Sequence, residues 1–248
     1  MYTPLASPQY PRAPITEAVI EVRVAAEIDA NILDKIARKL KSHYTRSEPL
    51  RQVGVAIDNT GGNVSIQQNA TGFRLSNEDQ ADIALLSNRF ITTARLPPYP
   101  GWDRFRDRAK ENWATWRSLA PAHAIARAGV RYINRIDIPA TPEGKLNLEE
   151  YFNFHPQAEV FEATLVTYLA QVRFLTYRPN WAATITTTPM LPNPVPDAAS
   201  VMLDIDVFRE ADLPLHPDKL WSLIDEARSV KNDLFERALT PKTKALFT

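Results

Sequence analysis

The chain has 248 residues, 44% of them hydrophobic and 23% charged, and its 29 basic side chains balance 29 acidic ones. That apolar share is ample for a packed core, while zero net charge removes any whole-chain electrostatic case for nucleic acid or an acidic membrane. No cysteine is present, which excludes disulfides, thiolate nucleophiles, zinc fingers and iron–sulfur clusters. No stretch reaches the length of a bilayer span. The Met-Tyr-Thr-Pro start lacks the basic and apolar runs of a signal peptide, so the expected location is cytoplasmic.

Residues 1–14 are proline-rich and read as an extended lead-in. From Ala18 to Ala26 the chain alternates, with Ile20, Val22 and Val24 on one side and Glu21, Arg23 and Glu27 on the other, as in a half-buried strand. Asp29 is placed to cap a helix whose stripe is Ile32, Leu33, Ile36 and Leu40 and which ends near His43. Asn59-Thr60-Gly61-Gly62-Asn63 predicts a hairpin turn between 53–57 and 64–68. Phe73 to Leu75 adds a strand. Ile83 to Leu86 and Phe90 to Leu96 are either two further strands or one bulged strand. Trp102, Phe105, Ala109, Trp113 and Trp116 mark a helix ending near Leu119, and this aromatic stripe reads as core.

A strand is expected from Ile125 to Ile138 and a short helix from Leu148 to Phe152. Long strands at 160–177, 181–190 and 199–208 follow, the last after a stiff Pro192, Pro194, Pro196 connection. Trp181 is a candidate for a partly exposed anchor. The final helix runs from Pro217 to Leu239 on Leu220, Leu223, Ile224, Ala227, Leu234 and Phe235.

Ala94-Arg-Leu-Pro-Pro-Tyr-Pro100 and Ala211-Asp-Leu-Pro-Leu-His-Pro217 repeat one punctuation, an apolar strand closed by proline and then a helix start. The expected architecture is therefore α+β. A curved antiparallel sheet carries long helices on one face, in two pseudo-symmetric strand–helix–strands–helix halves, 15–120 and 121–248, after the 1–14 lead-in. The TATA-binding protein and the helix-grip fold are its architectural analogues.

Alternation also assigns the sheet's other face. Arg127, Arg131, Arg135 and Asp137 share one side of a strand; Gln171 and Arg173, then Thr184, Thr186 and Thr188, then Asp204 and Asp206 share a side on three others. With Glu21 and Arg23 they make a polar surface of both charge signs. It is either a solvated face laced with cross-strand ion pairs or a recognition surface. The binding candidates are Arg23, Arg131, Arg135, Arg173, Asp204 and Asp206.

Catalytic chemistry finds little support. His43, His123, His155 and His216 show no metal-ligand spacing, and His216 in the second proline corner reads as packing or capping. There is no G-x-S-x-G elbow and no phosphate-cradling glycine motif. Asp204 and Asp206, roughly 6–7 Å apart by strand rise, are better matched to arginines on neighbouring strands than to a cation. Glu149 and Glu150 suit a helix start. No catalytic residue, metal or cofactor is assigned.

Pro14-Ile-Thr-Glu-Ala-Val-Ile-Glu-Val-Arg23 resembles the opening signature of an uncharacterised, sporadically distributed bacterial and archaeal family of about this length. Tyr99-Pro-Gly-Trp102 with Phe105, Gly129-Val-Arg-Tyr-Ile-Asn-Arg-Ile136, and Leu215-His216 leading to Leu234-Phe-Glu236 and Thr240 are similar to its later pattern. The resemblance implies no activity. Its patchy distribution suits defence-associated or toxin–antitoxin gene neighbourhoods.

The leading expectation is a non-enzymatic binding or adaptor module that engages a protein partner through the polar sheet face or the groove between halves, with homodimer formation as a further partner reading. Charge reversal at Arg131 with Arg173 then abolishes capture without loss of folding. One alternative is a small-molecule sensor or enzyme with a pocket between sheet and long helix. Another is a saddle-shaped nucleic-acid binder, which Asp204 and Asp206 oppose.

Overall fold

In the computed structural model the described residues are 10–57, 64–139, 147–156, 167–191, 194–195 and 198–248, with backbone alone for 51–57 and 64–70. Among these residues the fold is α+β, with a nine-stranded antiparallel sheet and four α-helices. Two compact units divide it, residues 19–128 and residues 1–18 with 129–248.

In the unit of residues 19–128, β1 (Ile15–Val24) contributes most of its length and is followed by α1 (Ala30–Leu40), β2 (Arg46–Ile57), β3 (Val64–Ser76), β4 (Asp82–Ser87), β5 (Phe90–Arg95) and α2 (Trp102–Leu119). The strand order is β2-β3-β4-β5-β1. β2 and β3 pair from Ile57↔Val64 outward, so the predicted hairpin forms; its turn, 59–63, lies outside the described residues. The residues 83–96 are two strands joined through Asn88-Arg89. Asp29 takes the extended backbone of an N-cap (φ −62°, ψ 145°), yet its side chain makes no capping hydrogen bond. The first proline corner stands just outside α2: Gly101, at φ 92°, is the N-cap, a conformation glycine adopts without steric cost.

The predicted stripe of α2 is buried at Trp102, Phe105, Ala109, Trp113 and Trp116, and the Trp113 and Trp116 rings stack with centroids 6.3 Å apart. Asn112, also buried, donates to the Tyr44 hydroxyl and to Thr93 Oγ1, each at 2.8 Å. Burial pushes the Tyr44 hydroxyl up to about 12.

The second unit contains β6 (Ile125–Pro139, from Gly129 onward), a single 3₁₀ turn at Leu148–Glu150, β7 (Ala170–Leu175), β8 (Ala182–Pro189), β9 (Ala198–Arg209), α3 (Pro217–Ala238) and α4 (Pro241–Lys244). Its strand order is β6-β9-β8-β7. The long strand expected from 160 is shorter where it is described, because β7 runs only from Ala170 and the start of that segment lies outside the described residues. After Leu175 the chain turns through Pro179 and Asn180, whose φ of 66° breaks extended geometry. Pro217 is the first residue of α3, as its missing N–H allows. His216 takes the N-cap position of α3 by backbone alone, without a side-chain capping hydrogen bond, and its exposed side chain is not packed.

α3 packs on β9 and buries Leu220, Ile224, Ala227, Val230 and Leu234. Tyr10 and Arg12 of the lead-in are held against this end of the unit. Tyr10 meets the Phe235 and Phe247 rings edge-on and donates to Glu236 Oε1 at 3.0 Å, and the Arg12 amide donates to the Phe247 carbonyl at 3.1 Å.

Candidate functional site

On β6 the even-numbered residues 128–138 are buried, while Arg131, Arg135 and Asp137 point the other way at least partly exposed. On β9, Ser200, Asp204, Asp206 and Phe208 share a parity, and cross-strand pairing carries the same face outward through Thr186↔Asp204, Thr184↔Asp206 and Arg173↔Thr184. Strand alternation therefore assembles the candidate residues of this unit on one side of the sheet.

At its centre, Arg131 Nε donates to Asp204 Oδ1 at 2.9 Å and Nη2 donates to Oδ2 at 2.6 Å, a two-pronged charge-assisted pair. The Asp204 side chain is only 9% exposed and that of Arg131 47%. Asp204 is thus a buried counter-ion; it does not project to solvent beside Asp206 as the alternation suggested. Asp206 adds to the negative field at Arg131, whose guanidinium is held charged mainly by the Asp204 hydrogen bonds, against a cost of burial. Glu17 on β1 faces the same pair. Burial raises its carboxyl above the usual range, Asp204 pushes the same way and Arg131 opposes.

The other arginines are also matched. Arg135 Nε lies 3.1 Å from Asp137 Oδ1, and Asp137 Oδ1 accepts from Ser200 Oγ at 2.6 Å. Arg173 Nη2 lies 2.9 Å from Glu210, with its guanidinium 4.6 Å from the centroid of the Phe208 ring. Gln171 Nε2 donates to Thr186 Oγ1 at 2.9 Å; Thr186 is buried, unlike the open threonine row that alternation implied. In the other compact unit, Glu21 takes Arg23 at 2.7 Å and Arg127 at 2.6 Å. Arg23 thus belongs to a different compact unit from the remaining candidates.

The face ends in an open depression of about 420 Å³, lined by Arg173, Leu175, Asn180, Ala182, Phe208 and Glu210. The bend beside it is pinned by Asn180 Nδ2 donating to Asp212 Oδ2 at 3.2 Å. Trp181 does not line it: at 1% exposure it is core, a correction to its reading as an anchor.

Glu17, Phe208 and Glu210 escaped the sequence reading. The first two were within reach, since Glu17 has the parity of Glu21 and Phe208 that of Asp206. Glu210 lies just past the end of β9, where alternation no longer applies. Among the described residues no group of three or more histidines, aspartates and glutamates is arranged to hold a metal ion. No helix of the described residues is long and apolar enough to cross a membrane. No protein-family model matches the chain, and no curated protein matches it.

Proposed function

We propose that this protein is a non-enzymatic binding module that engages a protein partner through the polar sheet face of the unit containing β6 to β9. The supporting observation is the state of its charges. Arg131, Arg135 and Arg173 stand 38–60% exposed, yet each is oriented by a carboxylate of its own unit. Side chains already held in place lose less rotamer freedom on binding, so they favour recognition. A partner that offers polar groups to this surface and an apolar side chain to the Leu175–Phe208 depression fits both parts. The family resemblance supplies a setting among defence or toxin–antitoxin genes, and the repeated strand–proline–helix punctuation supports an origin by duplication.

Reversing Arg131 is a poor test, because it strands the buried Asp204 carboxylate and threatens the fold. Replacing Arg135→Gln together with Asp137→Asn removes a partly exposed pair without leaving a lone charge. In native pull-downs with mass spectrometry from cells that express the chain, the wild type is expected to retain a specific protein that this double variant loses at unchanged melting temperature. Equal capture by both proteins, or no capture by either, rejects the reading.

A further inference from the structure

The last strand of the β6-β9-β8-β7 order has unusual edge chemistry. Natural edge strands are protected by lysine, proline, bulges or charges. β7 reads Ala-Gln-Val-Arg-Phe-Leu, and Arg173, its one charge, is drawn over the Phe208 ring and onto Glu210. Of the five large apolar residues most exposed among those described, three lie on β7 or next to it: Leu169 at 71%, Val172 at 43% and Leu175 at 84%.

The direction of its backbone follows from its pairing. The Thr176 N–H donates to the Trp181 carbonyl, and β7 pairs antiparallel with β8 from Ala170↔Thr187 to Leu175↔Ala182. Backbone groups alternate sides in such a ladder. Ala170, Val172 and Phe174 therefore direct theirs to β8. Those of Leu169, Gln171, Arg173 and Leu175 point the other way, where no described strand lies.

We infer that β7 pairs antiparallel with β7 of a second copy of this chain, about a two-fold axis passing beside Val172. In that register Val172 faces its own counterpart, Gln171 faces Arg173, Ala170 faces Phe174 and Leu169 faces Leu175. All three exposed apolar residues then meet apolar partners, and no charge meets its like. The residues that exchange backbone hydrogen bonds are the four whose groups point outward, as an antiparallel ladder demands. An axis through Arg173 instead opposes two guanidinium groups, which is unfavourable. An axis through Phe174 sets Arg173 against Leu175, and one through Gln171 sets it against Leu169. The side-chain pattern thus selects one register.

Self-association and partner capture both involve Leu175, but they are read by different variants, Val172 for the one and Arg135 with Asp137 for the other. A six-residue strand pair belongs among small, transient interfaces, so sedimentation is followed up to about 200 µM. The wild type is expected to shift from 28.0 kDa toward twice that mass. Val172→Lys and Val172→Glu are each expected to stay monomeric at unchanged melting temperature, and an equimolar mixture of the two to recover the dimer, because only the residue on the axis faces itself. The chain has no cysteine, so Val172→Cys gives a clean probe. It is expected to oxidise to a covalent dimer, since the paired Cα atoms of a non-hydrogen-bonded pair approach to about 4.5 Å, while Leu175→Cys is not. A monomeric wild type over the whole range overturns the proposal. So does a dimer indifferent to Val172, or equal cross-linking through Leu175→Cys.

Discussion

A buried amine separates residue chemistry from sequence pattern. Lys231 lies within the apolar stripe of α3, with Nζ 3.9 Å from the centroid of the Tyr132 ring. Burial, and then the charge of Arg228, lower its amine from 10.5 to about 7, while Glu236 works in the other direction. The ring also favours the charged form and tempers the burial cost. Between pH 7 and 10.5 the unfolded chain holds a proton that the folded chain lacks, so this group makes stability rise with pH across that window. Lys231→Met, similar in volume, abolishes the dependence. The variant is expected to gain stability over the wild type at pH 6.5, and the gain to shrink by pH 9.5 in urea denaturation. A gain that grows with pH contradicts the assignment. Nothing in the 3.6-residue period of α3 distinguishes a lysine that snorkels outward from one folded under the sheet.

The long elements were legible because their periodicity runs over many residues. α2 begins at Trp102, the first residue of its aromatic stripe, and ends at Leu119 as expected, and the alternation of β6 separates core from polar face along most of the strand. Short or punctuated elements were not. The 148–152 segment holds a single 3₁₀ turn where a helix was expected, and Asp29 caps α1 by backbone position alone. The same contrast bears on Gly129, which interrupts β6 within the resemblance motif. A β-carbon there would lie 2.5 Å from the Val207 carbonyl oxygen and 2.7 Å from Phe208 Cβ, so the two strands approach closely only because that atom is missing. Gly129→Ala is expected to cost about 1–3 kcal/mol in chemical denaturation. A neutral result would show that β9 can give way.

For the whole molecule, charge balance limits the range of partners. With no net charge, and with the arginines of the polar face joined to carboxylates, little free positive potential remains to draw phosphates. The chain is expected to pass through heparin at about 0.1 M salt, and its association with a partner to change little with ionic strength. Retention on heparin with a steep salt dependence would restore the nucleic-acid reading. Edge pairing through β7 and capture on the polar face share Leu175, which meets Leu169 of a second copy in the one and lines the depression in the other.

Composition and periodicity alone determined the α+β class, the course of the long helices and central strands, and which side of β1, β6, β7, β8 and β9 is polar. These are local properties, because a period of 2 or 3.6 is written in neighbouring residues. Only tertiary structure decided which polar residues remain exposed. Asp204 and Thr186 are covered and Trp181 is core, whereas Arg173 and Leu175 stay open. That outcome depends on which strand lies beside which and where the sheet stops. Burial is set by neighbours distant in sequence, and no local pattern encodes them.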